Sequence, residues 1–436
     1  MACARSGTSR STCTIHRLVA SRHHRLTTRQ LFRVKTGSSP GGGWDDVARN
    51  EVRLEEHLAN LHERVHQGTY QAQPSRRVYI PKPDGRQRPL GIAALEDKIV
   101  QQAVVTVLNL IYEEDFLGFS YGFRPHRGTH DALDALWMGL TSRKVNWVLD
   151  ADIQGFFDSI NHEWLLKFIE HRIADRRMLR LIRKWLRAGV SEGGQWSPTN
   201  VGTPQGSVAS PLLANVFLHY VFDLWVQQWR TRFAAGDVIV VRYADDFVLG
   251  FQYRHEAERF LHDLRERFQQ FGLALHPDKT RLIEFGRFAL RNRRARGDRK
   301  PETFDFLGFT HICGRKRVSE GFVVKRQTAT KRLRARLQVL KQALMRRRHE
   351  PIPQQGTWLR SVLQGYFQYH AVPGNSAALE SFRTQTARLW LTALRRRSQR
   401  HRLSWERCDR YVDRWLPRAK ILQPYPNDRF YAKHPK

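Results

Sequence analysis

Val238-Ile-Val-Val-Arg242-Tyr243-Ala244-Asp245-Asp246-Phe247-Val-Leu-Gly-Phe251 sets two adjacent carboxylates between apolar runs rich in β-branched and aromatic residues. Such runs read as buried strands, so the stretch is expected to form a hairpin with Tyr243 to Asp246 at its tip. Neighbouring carboxylates there repel each other and resist leaving water unless a cation compensates them. That placement suits a metal site far better than it suits a core. Working outward, another acid at a strand end, Asp152 in Leu149-Asp150-Ala151-Asp152-Ile153, lies 93 positions before Asp245. Strands that far apart in sequence can be neighbours in a sheet. Asp152, Asp245 and Asp246 would then hold two divalent ions ~3.5–4 Å apart, one activating an attacking hydroxyl and the other stabilising a leaving oxygen.

Composition narrows the setting. A chain of 436 residues has room for about three domains, and 41% hydrophobic residues are enough for real cores. The 74 Lys and Arg against 41 Asp and Glu leave a net charge of +33, which points to a polyanionic partner, above all nucleic acid. Arginine outnumbers lysine, as phosphate forks and base stacking favour. Cys3, Cys13, Cys313 and Cys408 are too scattered for a zinc module or a disulfide framework, so a reducing compartment is expected. No run approaches the ~18 apolar residues of a membrane span. Residues 1–44 hold seven Arg, one Lys and no acid. This is the composition of a basic tail or of read-through from an upstream start codon, with an organellar transit peptide as the alternative.

Along the chain, Leu54, Leu58 and Leu61 have helical spacing up to Gly68. Residues 76–92 read as a basic hairpin turning at Pro83-Asp84-Gly85, and a helix follows over about 97–112. A strand is expected at 147–153, helices over 161–187, and a loop at Val201-Gly-Thr-Pro-Gln205-Gly206-Ser. Ser210-Pro211 reads as an N-cap with proline in the first turn. Beyond the hairpin come a helix at 255–270, a strand at 273–275 and a basic loop over 287–300. From about 325 the pattern is wholly helical, with Leu333, Leu337, Leu340 and Leu344 on one stripe and Arg332, Arg334, Arg336 and Lys341 off it. Residues 331–436 carry 24 Lys and Arg against six Asp and Glu, +18 of the total +33.

An ordered set of short motifs then carries a resemblance. Ile80-Pro-Lys-Pro-Asp-Gly85, Arg88-Pro-Leu-Gly-Ile92, Ser120-Tyr-Gly-Phe-Arg-Pro125, Asp152-Ile-Gln-Gly-Phe-Phe-Asp158, Gly202-Thr-Pro-Gln-Gly206 with Ser210-Pro211, Tyr243-Ala-Asp-Asp246 and Phe306-Leu-Gly-Phe309 follow one another along the chain. In this the sequence resembles the reverse transcriptase and maturase proteins encoded by group II introns, over roughly residues 52–436. The resemblance implies an α+β right-hand polymerase. Its fingers would be 51–148, its palm 149–315 and an all-α thumb or maturase region 325–436, after a disordered basic tail over 1–50. It implies an RNA-directed DNA polymerase that also assists splicing and mobility of its intron. The partners would be structured intron RNA, DNA target or primer and dNTPs, with a homodimer as one assembly and no membrane. Mg²⁺ would be the cofactor, with Mn²⁺ as a substitute, and the compartment the bacterial cytoplasm, at the nucleoid when DNA is bound.

The resemblance also assigns roles. Asp152, Asp245 and Asp246 would be metal ligands and catalytic, with Lys279 protonating the departing pyrophosphate. Lys82 and Arg88 would grip the incoming triphosphate, Ile153 would line the nucleotide site, and Phe157 would sit beneath the sugar and exclude a ribose 2′-OH. Gln205 and Gly206 would lie against the nascent base pair, where only a missing side chain allows close backbone approach. Phe306, Leu307, Gly308 and Phe309 would form the primer grip. The element that precedes the fingers in the family is poorly represented before residue 50, and no Cys-paired His-Asn-His nuclease module is found before Lys436. Priming by another process is therefore expected. The competing readings are an RNA-binding splicing factor without polymerase activity, and a polymerase of retron or diversity-generating type.

Overall fold

The computed structural model describes residues 54–81, 87–199, 201–203, 206–316, 321–397 and 403–433. The tail expected over 1–50, Lys82 and Gln205 lie outside them. The strands are β1 Ser75–Pro81, β2 Gln87–Ile92, β3 Trp147–Asp152, β4 Val190–Glu192, β5 Gln195–Ser197, β6 Val238–Tyr243, β7 Asp246–Phe251, β8 Arg281–Glu284, β9 Phe304–Phe306, β10 Phe309–Arg315 and β11 Phe322–Thr328. They form three sheets, ordered β2-β1-β4-β5, β6-β7-β3-β8 and β11-β10-β9.

The β6-β7-β3-β8 sheet organises the molecule because both of its faces are apolar. On β3, Leu149 and Ala151 enter a large core with the helices Leu95–Tyr112, Ser210–Leu218, Leu224–Phe233 and Arg254–Gln270. Val148, one residue out of phase, joins a second core with helix Thr129–Ser142 and β9 to β11. Asp150 and Asp152 keep Val148's phase. They therefore lie on the second face, where acids replace the aliphatic residues expected of a doubly covered strand.

The two strands of the basic hairpin at 76–92 pair as read, Arg76 with Ile92 and Ile80 with Arg88, while the turn expected at Pro83-Asp84-Gly85 lies outside the described residues. The first helix also runs as read, Leu54–Gln67, and stops where Gly68 takes φ +80°. In the carboxy-terminal region Leu337, Leu340 and Leu344 are buried in an all-helical core with Leu363, Phe382, Trp390 and Val412. Four local expectations are corrected. Residues 273–275 make only a bridge from Leu275 to Ile153, because β8 already takes that edge of β3. The basic stretch 287–300 contains the helix Ala289–Ala295, with Asn292 and Arg296 bonded to the buried Glu284. The helical region starts at Thr330, since Phe322–Thr328 is a strand whose Val324 and Arg326 are buried. Ser210 is the first helical residue rather than the cap, which is Ala209, with Pro211 in the first turn as expected.

The helical region is tied back to the sheet domain by buried charge. Asp134, on helix Thr129–Ser142, accepts from Arg326 Nη1 at 2.8 Å and from Arg429 Nε of helix Pro426–Lys433. Nearby, His130 packs at 5.2 Å from the Tyr369 ring, His370 at 4.3 Å from Tyr366, and His311 stacks on Phe304 at 4.8 Å. Burial, with neighbouring arginines adding to it, pushes His130 and His370 down to about 4 and His311 to about 3. These imidazoles are neutral in the fold, whereas in the unfolded chain they take up protons below about pH 6.5. Their contribution to stability is complete above that pH and is lost as pH falls from 6.5 toward 4. Thermal unfolding should therefore occur at a markedly lower temperature at pH 5 than at pH 7.5, and His311→Phe should flatten the difference.

Candidate active site

The hairpin at 238–251 forms as read, with β6 and β7 antiparallel and Tyr243 opposite Asp246 across the turn. Across the other edge of β7, Asp246 stands directly opposite Asp152. The two acids that lie 94 positions apart in sequence are thus a cross-strand pair at the sheet's end, on the same face, with Asp245 at the adjoining tip. Like charges opposite each other oppose strand pairing. The site accepts that cost because the apolar registers of β3 and β7 on both faces fix the alignment.

The electrostatics show what the arrangement lacks. Desolvation by the surrounding protein and the carboxylates of Asp245 and Asp152 push Asp246 up to about 7, with Lys279 opposing; the residue is nonetheless exposed at the sheet's end, so the crowding of charge is the firmer of these causes. Asp245 is raised by burial and by Asp152, while its own backbone amide, Arg88 and Lys279 pull the other way. Lys279 Nζ donates to Asp152 Oδ2. Among the described residues, no three His, Cys, Asp or Glu side chains are already gathered around one ion position. The donor set nevertheless fits hard divalent cations, being all carboxylate oxygen and crowded enough to need added positive charge. Asp152, Asp245 and Asp246 would hold them, with Lys279 swinging off Asp152.

The other expected residues divide by what they can touch. Arg88, exposed on β2, lies near enough for its charge to act on Asp245. Phe157 lies in the short helix Phe156–Ser159, half-buried, five residues beyond Asp152, and its carbonyl accepts from Thr203 N at 2.7 Å. Gly206 has φ +109°, and a Cβ there would come within 2.9 Å of the Gly91 carbonyl oxygen. Its missing side chain thus lets the loop rest on the β2 backbone. Ile153 has its side chain in the core, so it could border a nucleotide only through its backbone. In the expected primer grip, Phe306 and Phe309 are likewise core. In the turn between them Leu307, at φ +46°, is half-buried and Gly308, at φ +86°, is buried, and the turn is anchored by Tyr369 Oη donating to the Leu307 carbonyl at 2.6 Å.

One neighbour had no role from sequence. Asp150, on Asp152's face of β3, is pushed up to about 6 by burial, eased by Arg281 at 3.4 Å and reinforced by Asp305 and Asp152. Its spacing of two from Asp152 on a strand was the available signal. Arg281 and Lys279 thus form a cationic rail beside the acids.

The family model described as reverse transcriptase (RNA-dependent DNA polymerase) matches residues 80–311, more than half of the chain and all three aspartates. The chain belongs to the reverse transcriptase family. Over 279 residues this reverse transcriptase is 34% identical to protein YkfC of Escherichia coli, covering 57% of this chain and 73% of that one. It is 41% identical over 198 residues to the group II intron-encoded protein LtrA of Lactococcus lactis subsp. cremoris, covering 45% of this chain and 32% of LtrA. To the putative COX1/OXI3 intron 2 protein of Saccharomyces cerevisiae it is 33% identical over 183 residues, 42% of this chain and 21% of that one. The match therefore spans about a third or less of these intron-encoded relatives. Among solved structures, telomerase from Candida albicans with a fragment of telomeric RNA aligns at a TM-score of 0.43 and 12% identity, over 79% of this chain and 61% of that one. As a member of that family it is an RNA-directed DNA polymerase dependent on divalent metal and working on nucleic acid.

Proposed function

We propose that this reverse transcriptase copies structured group II intron RNA into DNA from a DNA primer and dNTPs with Mg²⁺, and assists splicing and mobility of that intron as a maturase. The observation that carries the reading is the register of Asp152 against Asp246, with Asp245 beside them at the open end of the β3–β7 pair. Divalent ions held there supply the Lewis-acid chemistry of nucleotidyl transfer, and Mn²⁺ can take the place of Mg²⁺. The chain's own residues do the rest. Arg88 draws the triphosphate toward the acids, Lys279 leaves Asp152 and provides a proton for pyrophosphate, and Phe157 limits the space at the sugar. The turn at Leu307 and Gly308 borders the primer end. Residues 51–148 act as fingers, 149–315 as palm, and the helices from Thr330 onward as thumb. The setting we propose is the bacterial cytoplasm, where the free Cys313 and Cys408 stay reduced. No helix among the described residues is long and apolar enough to cross a membrane.

RNA affinity rests on the exposed cations of helix Thr330–Arg346. Arg332, Arg334, Arg336 and Lys341 are exposed on either side of the stripe where Leu337, Leu340 and Leu344 are buried. Contacts of this sort to A-form RNA read backbone and shape and release counterions. Binding of intron RNA by the full chain should weaken steeply with salt. Arg332→Gln with Arg336→Gln should make the slope of log affinity against log salt shallower by about two units. An unchanged slope would show these arginines to be merely solvated.

A further inference from the structure

Arg242, the residue just before the acidic tip, has the strongest claim among groups that the chemistry does not use. It lies on β6 in phase with Val240 and so projects into the helical core, away from the face that bears Asp152 and Asp246. Arg242 and its partner Asp223 are both completely buried. Arg242 Nε donates to Asp223 Oδ1 at 2.7 Å and Nη2 to Oδ2 at 2.6 Å. Nη2 also donates to Ser120 Oγ at 2.7 Å, and Nη1 to Asn215 Oδ1 and to the Ala244 carbonyl, both at 3.0 Å. All five guanidinium N–H groups are thereby used.

Two features show what this arrangement restrains. Ala244 takes φ +56°, a left-handed conformation that costs a residue with a side chain and persists only where its surroundings impose it. From outside, residues 119–122 run beside β6, Arg242 N donating to Phe119 O and Tyr121 N to Arg242 O, both at 2.9 Å. A Cβ on Gly122 would stand 2.3 Å from Ala244 N, so the two backbones press together. Asn215 Nδ2 holds this segment too, donating to the Gly122 carbonyl at 2.7 Å. Asp223 reaches the arginine from the end of a π-helical turn, His219–Asp223, set between two α-helices. Such turns are uncommon and cluster at functional sites.

We propose that Arg242, seated on Asp223 and Asn215, is a positioning residue: it locks the Ala244 turn and thereby sets where Asp245 and Asp246 point. The inference rests on the polymerase reading of the same hairpin. Arg242 touches neither substrate nor metal.

The test is the pair Arg242→Met with Asp223→Leu, which removes both buried charges together, so that neither is left unpaired. In single-nucleotide extension of a primed RNA template, kcat should fall by about 10²-fold while KM for dNTP changes little, as displaced catalytic groups require. The metal concentration for half-maximal rate should rise, and amides 243–246 should exchange with deuterium faster while the rest of the palm is unchanged. A folded double variant with wild-type kcat would overturn the proposal, as would one whose amides 243–246 stay as protected as before. Should the pair fail to fold, Asn215→Ala leaves the ion pair whole and removes one support of the turn. It should likewise lower kcat at constant KM, and a wild-type kcat there would also overturn the proposal. Wild-type protein that extends no primer would instead refute the polymerase reading.

Discussion

Replacing Asp245 with Asn should reduce cDNA synthesis on a primed RNA template by about 10³-fold or more while leaving RNA affinity within about twofold. The substitution preserves shape and removes one charge. With it goes the larger of the two carboxylate repulsions that raise Asp246, while desolvation, the main cause, and the repulsion from Asp152 remain, so that residue should move down only part of the way. The site would then be easier to hold without metal and poorer at binding it. RNA affinity draws instead on exposed arginines and lysines far along the chain, and the two measurements should separate cleanly. Synthesis that survives Asp245→Asn would remove the metal assignment.

The second large effect concerns the sugar. Phe157 sits half-buried on a short helix that starts four residues after Asp152, packed against Phe156 at 5.5 Å and fixed through its carbonyl by Thr203. A ring so held cannot step aside for an added hydroxyl. Phe157→Ala should open that space and lower discrimination against ribonucleotides by roughly 10²-fold, read as the ratio of kcat/KM for dNTP and rNTP. Because the ring is only partly in the core, the variant should stay folded. Unchanged selectivity would take the role away from Phe157.

Much of the site was legible because its determinants are local. The alternation of Val, Ile and Phe around Tyr243 to Asp246 specifies a hairpin by itself, and an acid at the end of another apolar run is a natural partner in a sheet. What the residues alone could not supply was the register, which puts Asp152 opposite Asp246 and Asp150 one step behind on the same face. Long-range buried polar contacts were invisible for a related reason. Arg242 reads as a lone charge in a strand until Asp223, Asn215 and Ser120 surround it, and Asp134 gives no hint of Arg326 and Arg429, 192 and 295 positions away. The strand Phe322–Thr328 was hidden because its alternation runs straight into a basic amphipathic helix, and the helix Ala289–Ala295 because its charged residues mask the periodicity. Ile153, Phe306 and Phe309 show what motifs alone leave out. They belong to motifs that border the site, yet their side chains fill the core.

The central claim is that three aspartates, two on neighbouring strands and one at the hairpin tip, form one polymerase centre. Its most direct measurement is incorporation of a single dNTP opposite an RNA template by the purified protein with Mg²⁺, alongside Asp152→Asn. The wild type should extend the primer, and the variant should bind the same primed RNA yet leave it unextended. A wild type that binds RNA without extending the primer, or a variant that extends it equally well, would contradict the account.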